Sequence, residues 1–70
     1  MSEEQQEARN MLYAKHGTSF LDKVQTAKEL GDISSTSLDR LRQTGAIRSR
    51  KILGQIRFSI NEVARFIADA

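Results

Sequence analysis

Six basic side chains, Arg40, Arg42, Arg48, Arg50, Lys51 and Arg57, fall in a segment from 40 to 57 that contains no acid. All nine acids of the chain lie outside it, so the formal net charge of +2 hides a strongly polarised molecule. Guanidinium and ammonium groups gathered this closely hold polyanions, and the usual polyanion for a small protein is nucleic acid. Within and beside the segment the side chains divide by reach. Arg40 and Gln43 are long enough to meet base edges, where Arg matches guanine O6/N7 and Gln matches adenine N6/N7. Ser35 and Thr36 add hydroxyls at the expected start of a helix, whose free N–H groups suit a phosphate. Arg48, Arg50, Lys51, Gln55 and Arg57 then form a run of donors suited to a sugar–phosphate backbone or a narrow minor groove. Asp39 runs against this pattern, being repelled by phosphates, unless it accepts from cytosine N4 or pairs with Arg42 or Gln43.

Bond-making chemistry is poorly provided for. The chain has no cysteine, which excludes disulfides and thiolate metal sites and fits a reducing compartment. His16 is the single histidine, placed at a helix end where it reads as a surface residue complementing the helix dipole. Asp22 and Glu29 read as capping residues rather than a catalytic carboxylate pair. No serine or threonine stands in a nucleophile motif. Seventy residues offer little depth for a substrate cleft. The expectation is a protein that is not an enzyme, with no metal and no cofactor. No stretch has the roughly 18 consecutive apolar residues of a membrane span, and no secretory leader is expected; the expected location is cytoplasmic, with the nucleoid.

The elements that must carry these residues can be read from their punctuation. Residues 2–16 have a helical start at Ser2 with Gln5, acids in the first turn and Gly17 as the stop. Its apolar face is thin, with Ala8, Met11 and Leu12, and must dock on the chain itself or on a second copy. Phe20 and Leu21 suit an extended link. A short helix follows, begun either by Asp22 with Gln25 or by Thr26 with Glu29, with Val24, Ala27 and Leu30 on one face. Gly31 and Asp32 end it, and Ile33 turns inward. Ser34 caps the next helix, Leu38 and Leu41 form its buried stripe, and Gly45 closes it. From Ala46 the pattern alternates through Ile47, Ile52, Ile56 and Phe58, predicting a two-stranded hairpin with Gly54 in its turn. Ser59 with Glu62 forms a capping box for a last helix bearing Ile60, Val63, Ala64, Phe66 and Ile67.

Three local patterns carry a family likeness over about two thirds of the chain, from Phe20 to Ile67. They are Ile33-Ser34-Ser35-Thr36-Ser37-Leu38 with Arg40-Leu41 and Gly45, the basic hairpin with Gly54 and Ile56-Arg57-Phe58, and Ser59-Ile60-Asn61-Glu62-Val63. Together they resemble the small winged helix-turn-helix proteins of the excisionase and AlpA type, relatives of the MerR DNA-binding domain. That resemblance implies a mainly α fold with a small β-hairpin and a DNA-binding domain over 18–70; the helical extension over 1–17 lies outside it. It also implies sequence-selective binding of double-stranded DNA. The role would be that of a recombination directionality factor or a small transcriptional regulator of a mobile element. The partners so implied are a recombinase or integrase, or RNA polymerase; self-association through the N-terminal helix is expected separately, from its thin apolar face. The chain departs from the family in lacking any proline and in placing Gly31 one position early, before Asp32, at the inter-helix turn. A competing reading from another class is a phage or plasmid adaptor whose basic face docks on an acidic protein. Single-stranded RNA fits less well, because Tyr13, Phe20, Phe58 and Phe66 are scattered and form no stacking platform.

Overall fold

Ser2 opens the first helix by accepting a hydrogen bond from the Gln5 N–H (3.1 Å), and Gly17 closes it in the left-handed conformation, donating its N–H to Tyr13. In this computed structural model, which describes residues 2–69, that helix is α1 (Glu3–His16). Ala8 and Leu12, one turn apart, lie along its line of contact with the last helix, α4 (Ile60–Asp69). Met11, expected on this face, is instead 72% exposed. It lies about 100° round the helix from Leu12, beyond the edge that α4 covers. His16 also departs from expectation: it is largely shielded, with Nε2 2.9 Å from Oε1 of Glu29, and Lys15 Nζ lies 2.7 Å from the same oxygen. Glu29 therefore ties the end of α1 to the short second helix rather than capping anything.

That helix, α2 (Lys23–Glu29), follows a two-residue strand β1 (Phe20–Leu21). The competition between two starts is decided for Asp22. Its carboxylate accepts from the Gln25 N–H (2.8 Å), while Gln25 Oε1 accepts from the Asp22 N–H (3.1 Å). Thr26, the rival cap, lies inside the helix, fully buried, its hydroxyl without a partner among the described residues. Because Thr26 faces inward, with Ala27 and Leu30 against the core, Val24 is turned out and is 66% exposed rather than buried. The early glycine is accommodated by two successive left-handed residues, Gly31 and Asp32, after which the Ile33 N–H reaches back to Ala27 (3.1 Å) and Ile33 packs on the core.

Ser34 then caps α3 (Ser35–Gln43), accepting from the Ser37 N–H at 3.1 Å. Leu38 is completely buried and Leu41 packs beside it. The helix ends in paired bonds, Ala46 N–H to Leu41 and Gly45 N–H to Arg42, with Gly45 left-handed. Ile47 enters the core from an irregular link, because the strand expected from Ala46 starts only at Arg50. Strands β2 (Arg50–Ile52) and β3 (Gln55–Ser59) pair antiparallel across Leu53 and Gly54, both at positive φ as a type I′ turn requires.

The expected hairpin forms, but it does not stand alone. β1 adds to it, Phe20 opposite Ser59 and Leu21 opposite Phe58, giving a three-stranded antiparallel sheet in the order β1-β3-β2. Ser59 also caps α4, accepting from the Glu62 N–H (3.0 Å), and the Ile60 N–H donates to Ser19 (2.9 Å). The expected reciprocal half of the capping box is missing. Ser59 is already paired in the sheet, and Glu62 instead accepts from the Arg48 N–H (2.8 Å) and from the Arg65 guanidinium. The described residues thus form a small, mostly helical domain of four helices and one sheet around Leu12, Leu21, Leu38, Ile47, Phe58, Ile60, Val63 and Ala64. Its radius of gyration, 11.2 Å, is that of a single compact unit of this length. Among the described residues no helix is long and apolar enough to cross a membrane.

Candidate functional site

Burial of Leu38 decides which side of α3 faces water. Ser35, Thr36, Arg40 and Gln43 are all exposed, and Thr36, Arg40 and Gln43 follow one another at helical spacing along one line. Ser34 satisfies the Ser37 N–H, while the earlier N–H groups of Ser35 and Thr36 point out of the helix start without a partner among the described residues. Asp39 is only half exposed and turns towards α2. Its Oδ1 lies 2.8 Å from Lys23 Nζ and 2.9 Å from Arg42 Nη1. The Lys23 hydrogen bond, then that of Arg42, holds its carboxyl below the usual carboxylate range. The one acid on this helix is therefore neutralised by two cations.

Arg42 has a second role. Its Nε donates to Ser49 Oγ at 3.1 Å, fastening the end of α3 to the chain that enters the hairpin. Gln43, Ile47, Arg48 and Ser49 consequently wall one open cleft of about 520 Å³. Arg48 and Arg50, with Ser59 and Glu62, flank a smaller one of about 280 Å³ next to it. In the hairpin, Arg50 stands opposite Arg57 and Ile52 opposite Gln55, so these four share one face of the sheet. The Arg57 guanidinium donates to the Gln55 side-chain oxygen. Lys51, opposite Ile56, projects from the other face, so the five polar hairpin residues do not form one set.

The structure thus connects Arg40, Gln43, Arg48, Arg50 and Arg57 through successive neighbours, with Gln55 beside Arg57. Ser35 lies further off, beside an α2 groove lined by Lys23, Val24 and Lys28. Among the described residues Arg40, Arg48, Arg50, Lys51 and Arg57 make no ion pair with an acid. Arg42 is the exception within the basic segment. Two contributors were not legible as such. Lys23, outside that segment, shares a surface depression of about 410 Å³ with Gln55 and Arg57. The other is Ser49, which holds Arg42; its place between two arginines at the hairpin entry was a usable signal.

Glu62 holds the base of this arrangement. The Arg65 hydrogen bond, followed by that from the Arg48 N–H, keeps its carboxyl below its unperturbed value of 4.5. A carboxylate depressed on folding contributes stability that is complete above its unfolded pKa and is lost as pH falls through its folded one. Thermal stability should therefore decline as pH drops from about 6 to about 3. Glu62→Gln should cost on the order of 1 kcal/mol at neutral pH and make the acid decline shallower. Melting followed by circular dichroism across that range checks both, and a variant with the parent's acid profile would refute the assignment. Comparisons of the chain with protein-family models, with curated proteins and with solved structures returned no match.

Proposed function

We propose that the protein binds double-stranded DNA with sequence selectivity, as a winged helix-turn-helix module carrying an extra N-terminal helix. In this reading α2 and α3 are the helix pair, α3 lies in the major groove, and the β2–β3 hairpin is the wing. The observation that carries it is the succession of cations without acid partners among the described residues: Arg40 on the open face of α3, then, across the cleft that Gln43 shares with Arg48, Arg48 beside Arg50 and Arg50 opposite Arg57. Arg40 and Gln43 read base edges; Ser35 and Thr36 meet a phosphate; Arg48, Arg50, Lys51 and Arg57 with Gln55 follow the backbone. A module of this size covers roughly 600–1,000 Å² of its own surface on DNA, so side-by-side copies raise affinity. Met11, exposed on α1, offers the surface for that contact. The biological role fitting this reading is that of a recombination directionality factor or small transcriptional regulator of a mobile element. Such a role would place a recombinase or RNA polymerase beside it on the DNA.

Amide shifts recorded while mixed-sequence duplex is titrated into labelled protein test the reading. Shifts gathered on 34–43 and 48–57 are expected. Shifts confined to 3–16 on adding an acidic protein, with none on adding duplex, would favour the adaptor instead. Once a preferred site is selected, Arg40→Ala and Gln43→Ala should each cost about 1–3 kcal/mol and relax preference at a single base pair. Competition binding against single-base variants of the site measures this.

A further inference from the structure

Leu53 breaks two rules at one position. It is 99% exposed, and its backbone sits at φ 52°, a left-handed conformation that branched side chains resist. The first central position of a type I′ turn ordinarily goes to Asn, Asp or Gly. An apolar residue that is both unfavourably hydrated and unfavourably folded at a hairpin tip is an observed outlier from which function can be inferred. Its surroundings narrow the choice. Ile52, beside it, is 37% exposed, and Arg50, Lys51 and Arg57 stand just behind the tip with no acid among them. An apolar point behind which cations are grouped fits a surface that is anionic outside and apolar within. Stacked base pairs reached through the minor groove have that character. A lipid surface fits less well, because one leucine and part of an isoleucine bury too little to anchor a protein.

We propose that Leu53 is a wedge. Resting on the DNA-binding reading above, the cations of the hairpin seat it over the minor groove, and the Leu53 side chain enters between two base pairs. It partly unstacks them and bends the duplex towards the major groove. Pyrimidine–purine steps, the easiest to open, are the preferred place of entry. The strain at φ 52° keeps the isobutyl group projecting from the tip, where a residue suited to the turn would present only a short polar group.

Leu53→Asn tests this without endangering the fold, because asparagine suits the turn better than leucine does. The probe is a set of mixed-sequence duplexes with 2-aminopurine at TA or CA steps and end-attached dyes reporting the bend. Parent protein should raise the 2-aminopurine fluorescence and shorten the end-to-end distance. Leu53→Asn should match or exceed the parent's melting temperature and keep its salt dependence of binding, yet lose both signals; Leu53→Phe should retain them. If Leu53→Asn unstacks and bends DNA as the parent does, the wedge is wrong while DNA binding stands. If the parent binds no duplex even at low salt, the DNA reading falls and the wedge with it. Binding to phosphatidylserine vesicles that disappears in Leu53→Asn, with duplex signals unchanged, would assign the tip to lipid and overturn the proposal.

Discussion

The double variant Arg50→Ala, Arg57→Ala should bind every duplex more weakly and lose much of its sensitivity to salt. Four to six phosphate contacts give a slope of log K against log salt of roughly −4 to −5. Each phosphate-contacting cation removed lowers the slope by about one. A fourfold rise in salt should then cost the parent about 250- to 1,000-fold in affinity but the variant only about 16- to 60-fold. Folding should not confuse the result, because Arg50 and Arg57 stand directly opposite each other and their removal relieves like-charge repulsion. Fluorescence anisotropy over a series of salt concentrations supplies the slopes. Lysine at both positions should keep the parent's slope, and an alanine variant that also kept it would remove these arginines from the interface.

Phe58→Ala should be the most damaging single change to the fold. Phe58 is completely buried in the middle strand, opposite Leu21, in the core that also holds Leu12 and Val63. Truncation of a buried phenylalanine costs about 3–5 kcal/mol. A domain of this length has only about 4–10 kcal/mol in total. Since each kcal/mol shifts the midpoint by about 4–8 °C in a chain of this size, the melting temperature should fall by at least about 12 °C, and the weakest preparations should be unfolded when isolated. Circular dichroism melting measures it. A loss smaller than about 5 °C would mean that the sheet is not the centre of the structure.

Helix ends were well marked in the amino-acid order, because Ser2, Gly17, Ser34, Gly45 and Ser59 act on the backbone within a few residues of themselves. Long-range relations were not. Phe20 and Leu21 could be read as extended, but they are too few to show a period and their partners lie 39 and 37 residues away, so their pairing left no local trace. Helical spacing grouped Met11 with Leu12 and Val24 with Ala27, but only the neighbouring element decides which edge of a stripe it covers. The cations of the candidate site were countable in advance, whereas their arrangement depends on register. The turn at Leu53 and Gly54 puts Arg50 and Arg57 on one face and Lys51 on the other. The neutralisation of Asp39 was half visible: Arg42 was a foreseeable partner three residues on, while Lys23 came from another helix.

The third strand also separates what the chain displays from what cements it. Every unpaired arginine and lysine of the proposed surface lies between positions 40 and 57, yet most of the inner packing comes from Leu12 and Leu21 on one side and Phe58, Ile60, Val63 and Ala64 on the other. A peptide cut to residues 22–57 would keep the charges and, of the fully buried residues, only Leu38, Ile47 and the odd Thr26. Shape in the charged middle is thus borrowed from flanks that touch each other through Phe20 and Ser59, and a minimal version must carry both ends of the loop they close.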